Sequence, residues 1–170
     1  MAFSLEQHDP ASYQRKARII SVAMAGQLII FGLLFSMLLT TTFGSSVWLN
    51  ALGVLLGLLA PSAMFAALRE RPWMTEVRYV WQLKHHLSRI SSYLQPLRRA
   101  VEEDNRLALD ILTFYHQGMA QLAELNGRTT DDDAERLAEK MQVKVKREAL
   151  GLPKEVTTFD PHDLSAFKQK

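Results

Sequence analysis

The sequence predicts an all-α fold: a two-helix transmembrane hairpin, then a cytoplasmic helical module of about three helices, then a short C-terminal helix. Three observations carry this. Residues 19–68 contain no Asp, Glu, Lys, Arg or His, so all 20 basic and 18 acidic side chains lie elsewhere. Apolar residues recur at heptad spacing from Trp73 to Val101. No segment alternates apolar and polar residues over strand length. Averaged over 170 residues, 48% hydrophobic and 22% charged would pass for one soluble domain. The uneven charge excludes that class, and the apolar content excludes a disordered chain.

Residues 1–18 read as a cytoplasmic N-terminal segment ending in Arg15, Lys16 and Arg18. A helix needs about 20 apolar residues to cross a hydrocarbon core of about 30 Å. Residues 19–68 hold two such runs, 19–42 and 47–68. The polar turn TTTFGSS, with Gly44 as its natural break, is short enough to force an antiparallel hairpin. The basic residues Arg15, Lys16, Arg18, Arg69 and Arg71 flank the hairpin's open end and none sits in the turn, so both termini should be cytoplasmic. Trp48 falls at the outer boundary; Trp73, Tyr79 and Trp81 fall near the inner one, where amphipathic rings suit headgroups. A cleavable signal peptide is disfavoured, because the first run is too long and a second follows at once.

Each span carries a face of small residues. Ser21, Ala25, Gly32 and Ser36 fall within about 60° of one another on the first, and Gly53, Gly57 and Ala60 share a face of the second. Small residues let backbones approach closely in lipid, and Gly53–Gly57 is a GxxxG pair. The two spans should pack through these faces, with Ala25 near Gly57; the rival reading reserves one face for another subunit. Only Gln27 and Asn50 are notably polar, and Pro61 lies near the inner end of the second span. Ion-coupled transport needs ionisable groups at depth and finds none here.

Pro72 marks the membrane exit, and the helical module covers 73–152. One row holds Trp73, Val80, Leu87, Leu94 and Val101; its companion holds Leu83, Ile90 and Leu97, with Glu76 the sole interruption. Pro96 lies off this seam and should kink the helix. A second helix, 106–125, is apolar over more than half its surface, so it should be central, and Asn126–Gly127 ends it. A third starts at Thr130, capped by its hydroxyl and by Asp131, Asp132 and Asp133; it carries the apolar stripe Leu137, Met141 and Val145 and closes at Gly151–Leu152–Pro153. In the tail, 153–170, Asp160–Pro161 reads as N-cap and N1 of a last short helix.

Chemistry-bearing motifs are few. The absence of cysteine excludes disulfides, thiolate metal sites and a cysteine nucleophile. There is no Gly-rich phosphate loop, GxSxG or HExxH. His85 and His86 diverge by about 100° on a helix, so even with His116 they are not expected to hold a metal. No catalytic residue, cofactor or metal is expected. Net charge is only +2, which argues against nucleic acid. Residues 69–99 carry seven basic against two acidic side chains, which suits a membrane face. Lipid is the expected contact, with a protein partner or further copies of the chain.

The block MTEVRYVWQLKHHLSRI (74–90), the block LALDILTFYHQGMAQLAELN (107–126) and Phe159–Asp160–Pro161 resemble a family of small two-span bacterial membrane proteins, domain of unknown function 3087. That family shows an EVxYVWQLK-like segment, an LNFYYQGxxQLxEL-like segment and an FDP near the C-terminus. The chain departs from it at Thr113 and His116, where the pattern has Asn and Tyr. The resemblance covers most of 15–165 and implies the topology and a bacterial inner membrane, but no reaction. The expected function is a non-enzymatic accessory, scaffold or assembly subunit of a larger membrane complex. The alternatives are a homo-oligomeric pore or transport modulator, and a lipid-headgroup enzyme using His85, His86 or His116.

Overall fold

The charge-free stretch folds as two helices, α1 (Pro10–Phe43) and α2 (Val47–Leu68). The computed structural model describes residues 2–44, 46–68, 71–128 and 134–168. The expected roles of Arg69, Thr130 and Asp131–Asp133 fall outside these. Contacts divide the chain into two units, Ser12–Arg78 and Met1–Ala11 with Tyr79–Lys170.

In the first unit, both helices are long and apolar enough to cross a membrane. α1 starts well before residue 19. Pro10 occupies its first turn and Asp9 Oδ1 accepts the Ala11 N–H at 3.2 Å. The helix formers Ala11, Gln14, Arg15, Lys16 and Ala17 then carry it forward, so the basic residues ride on α1 rather than on a separate segment. Its 34 residues make a rod of about 51 Å, longer than a bilayer core. Gly44, at φ +90°, ends it with an N–H bond to the Thr40 carbonyl. The hydroxyls of Thr40, Thr41 and Thr42 bond back to carbonyls one turn earlier, so these polar groups are satisfied inside the helix. α2 runs through Pro61 without a break.

A single 3-10 turn, Pro72–Met74, leads into α3 (Thr75–Ser91). Glu76, the one flaw in the heptad seam, has a purpose here. Its carboxylate accepts from Ser12 Oγ at 3.0 and 3.1 Å and from Lys16 Nζ at 2.9 Å, which ties the start of α3 to the start of α1.

The second unit contains the rest of α3, α4 (Leu94–Glu102), α5 (Arg106–Leu125) and α6 (Ala134–Ala149). Among the described residues the fold is all-α apart from one antiparallel pairing of two residues each, β1 (Phe3–Ser4) with β2 (Thr158–Phe159). Strands this short leave no alternation to read. The long predicted helix 73–101 is two helices, because Pro96 offers no N–H to the Ser92 carbonyl. The chain tightens at Ser92–Tyr93, where Tyr93 N–H bonds the Ile90 carbonyl, and restarts with Pro96 in the first turn of α4. Val80, Leu83, Leu87, Ile90, Leu97 and Val101 are buried, Leu94 is half-buried and Trp73 is exposed.

α5 is the centre, with Ala108, Leu109, Ile111, Leu112 and Phe114 all buried. Asn105 caps it by accepting the Ala108 N–H at 3.1 Å. Gly118 is needed for close approach: a Cβ there would lie 2.9 Å from Leu87 Cδ2 and 3.3 Å from Leu83 Cδ1. Gly127 and Gly151, at φ +65° and +66°, close α5 and α6 with paired bonds back onto the last turn. Asp160 caps the final 3-10 helix, Pro161–Phe167, through the His162 N–H.

α6 turns its apolar stripe away from the core. Leu137, Met141 and Val145 face outward, 54%, 55% and 64% exposed, while Val143 and Arg147 are buried. Ion pairs set this rotation: Glu139 meets Arg98, Arg147 meets Asp110, and Lys146 meets Asp104. With a core built on the α3 seam, Leu87→Asn should destabilise this unit by about 3 kcal/mol through lost packing and an unpaired amide. Lys84→Gln, on the exposed side of α3, should be near neutral. Thermal unfolding and limited proteolysis of the full chain check this; equal resistance in both variants would contradict the seam.

Candidate functional site

The hairpin's small face is built from both helices. A Cβ on Gly57 would lie 2.5 Å from Gly32 Cα, and one on Gly53 would lie 2.7 Å from Ser36 Cα. No side chain fits at either contact, so glycine sets the helix separation. The structure brings Gly32, Ser36, Gly53 and Gly57 together within one chain. Ala60 is half-buried, whereas Ser21 and Ala25 stay exposed. The register therefore differs from the expected one, since Gly57 meets Gly32 rather than Ala25.

The two polar residues of the spans also pair across the hairpin. Ser36 Oγ donates to Asn50 Oδ1 at 2.7 Å, and Gln27 Nε2 donates to Met64 Sδ at 3.9 Å. Such bonds in lipid contribute about 0.6 kcal/mol on average and fix register as well. The small face was legible from helical spacing; the polar pairs were not, because they depend on the register of the two helices.

The expected interfacial residues separate into two sets. Arg15, Arg18, Trp48, Arg71, Trp73 and Trp81 are exposed, and Lys16 is held by Glu76. Tyr79 is not an interfacial ring. It is 5% exposed, its hydroxyl accepts from the Glu6 N–H at 3.0 Å, and it donates to Gln121 Oε1 at 2.8 Å. Burial raises its pKa against the lowering effect of those two bonds.

Tyr79 belongs to an aromatic nest that fastens both ends of the chain. Phe3 stacks on Tyr79 at 5.5 Å and lies 4.7 Å from His86; Phe159 stacks on Phe114 at 5.3 Å. Gln117 Oε1 accepts the Val156 N–H. Tyr79, Phe114, Gln117, Gln121 and Phe159 all come from the motif blocks, and this nest is where they gather.

Between α4, α5 and α6 lies a cluster of charge and histidine that sequence reading left unassembled. Arg98 grips Glu139 with two bonds, Nε–Oε1 at 2.7 Å and Nη2–Oε2 at 3.2 Å. His116 is 5% exposed; neither ring nitrogen has a hydrogen bond, and Nε2 stands 3.6 Å from Glu139 Oε2. A cleft of about 310 Å³ opens beside it, lined by acids, Arg98, Gln142 and apolar residues, with no Ser, Thr, Cys or Lys among them. His85 is exposed and stacked on Trp81, and His86 sits in the aromatic nest. Among the described residues no three His, Cys, Asp or Glu are placed to hold a metal.

Burial lowers the His116 pKa below 6.5, opposed by Glu139 and aided by Lys140, Arg136 and Arg98. The neutral ring is therefore favoured in the folded state. The fold is unpenalised above pH 6.5, and stability is lost as pH falls through the lower, folded-state pKa, because the unfolded chain binds the proton first. Burial lowers His86 in the same sense. Replacing His116 with leucine should flatten, without abolishing, the loss of thermal stability below pH 6.5. An unchanged pH profile would contradict this.

Two apolar helices locked by glycine contacts and joined to a small helical module define a class of hairpin-bearing α-helical proteins. Residues 3–164 match the family described as Protein of unknown function (DUF3087), and the chain belongs to it. No curated protein and no solved structure is detectably similar to the chain.

Proposed function

We propose that this is a multi-pass protein of the bacterial inner membrane, with both termini cytoplasmic. It serves there as a non-enzymatic accessory, scaffold or assembly subunit of a larger complex. The observation that carries this is the internal pairing of the hairpin. Gln27 and Asn50 bond to the opposite helix, and Gly53 and Gly57 are used up against Ser36 and Gly32. A pore of identical hairpins needs polar side chains turned to a common lumen, and these two bond instead to the opposite helix of their own hairpin. Large apolar side chains such as Ile29, Leu33, Met37, Val54 and Leu58 cover the outside and suit lipid. The exposed Ser21 and Ala25 leave α1 a place for a partner helix to approach closely. A lipid-headgroup enzyme is less well supported, since His116 lies against Glu139 while His85 and His86 pack on Trp81, Phe3 and each other.

The test is affinity purification of the tagged full chain from native membranes in mild detergent. An unlike protein at fixed stoichiometry is the expected result. A ring of identical chains, or a monomer that modifies lipid, would overturn the reading.

A further inference from the structure

α6 is an amphipathic helix with its faces reversed relative to an ordinary core helix. Leu137, Met141 and Val145 follow one another at i, i+4 and i+8 and project outward, with the exposed Ala134 and Ala138 completing the strip. The exposed Lys140 and Lys144 run along one edge. Glu148 lies at its C-terminal end. The opposite face is occupied by the core contacts of Val143 and Arg147 and by the Arg98–Glu139 pair. Rotating α6 to bury the strip would break those ion pairs, so the strip is a fixed feature of the folded unit.

We propose that this face of α6 lies on an anionic lipid surface, the aliphatic strip entering the headgroup boundary and Lys140 and Lys144 pairing with lipid phosphates. This rests on the membrane reading above. Three observations favour lipid as the occupant. A narrow aliphatic strip edged by lysine matches the composition of interfacial helices. Charge is complementary along one edge, where the exposed Lys140 and Lys144 stand one turn apart and would be drawn to anionic headgroups. The unit carrying α6 is joined in sequence to both ends of the hairpin unit, so a bilayer that held the hairpin would tether it. A second copy fits less well. Stable protein interfaces bury roughly 800 Å² per partner, more than three part-exposed aliphatic side chains supply.

The naturally cysteine-free chain allows single labels. The full-length protein, carrying an environment-sensitive fluorophore at Met141→Cys, is reconstituted into phosphatidylcholine vesicles with and without phosphatidylglycerol, and compared with detergent. The expected result is a blue shift and protection from an aqueous quencher in the phosphatidylglycerol vesicles. Lys140→Glu with Lys144→Glu should remove most of that lipid dependence, while a label at Lys84→Cys should stay aqueous throughout. A second label at Leu34→Cys, an exposed position within α1, reports the hairpin separately. Leu34 in lipid with Met141 fully aqueous would overturn this proposal alone. Leu34 itself aqueous would overturn the membrane reading and this proposal with it. Protection of Met141 in detergent that grows with protein concentration would assign the strip to a second copy and likewise overturn it.

Discussion

Replacing Gly57 with leucine is expected to force α1 and α2 apart. A bare Cβ already falls 2.5 Å from Gly32 Cα and 2.6 Å from its nitrogen. Those are backbone atoms, so no rotamer change relieves the clash. The penalty should exceed the roughly 1–3 kcal/mol of ordinary overpacking, because the helices must move as rods and forfeit dispersion contacts along their length. The polar pairs should fail together with the glycine contacts. Cysteines at Ser36 and Asn50, whose polar atoms are 2.7 Å apart, should crosslink efficiently within one chain. Adding Gly57→Leu should abolish most of that crosslink and lower protein abundance. Undiminished intramolecular crosslinking would show that the glycine contact does not set the hairpin.

The second large effect concerns Arg147. Its guanidinium is 2% exposed and donates to Asp110 and, at 2.7 and 3.1 Å, to the Pro153 carbonyl just past the end of α6. Arg147→Leu strands both acceptors. Losing one member of a buried pair costs about 3–5 kcal/mol, and the Asp110 side chain is 40% exposed, so a value near 3 kcal/mol is expected. Asp110→Leu added to Arg147→Leu should recover part of the loss, because the uncompensated carboxylate is then gone. Thermal unfolding of the four proteins, wild type, singles and double, measures this coupling. Additive losses would mean that the two side chains do not act as a pair.

These two cases also show what the sequence made legible. The two long apolar helices were readable because charge is excluded from 19–68 and glycine recurs at i, i+4, both of which are local patterns. α5 was readable from its breadth of apolar residues and its Asn126–Gly127 stop, and the last helix from Asp160–Pro161. The rotation of α6 was not readable. Hydrophobic periodicity marks Leu137, Met141 and Val145 as a stripe without saying which way it faces, and the ion pairs of Glu139, Lys146 and Arg147 with partners on or beside α4 and α5 accompany its outward turn. Those partners are about 40 residues away in sequence, so no local window contains the competing signal. The β1–β2 pairing and the burial of Tyr79 were hidden for the same reason: each joins the first few residues to a distant part of the chain. Of the Arg98–Glu139–His116 cluster, sequence offered only an isolated histidine.

Compartment-sensitive reporter fusions test most directly the proposed hairpin with both ends on the cytoplasmic side. A fusion after Lys170 should report the cytoplasm, and one inserted within residues 43–46 should report the opposite side. The same compartment for both would contradict the hairpin and every assignment built on it.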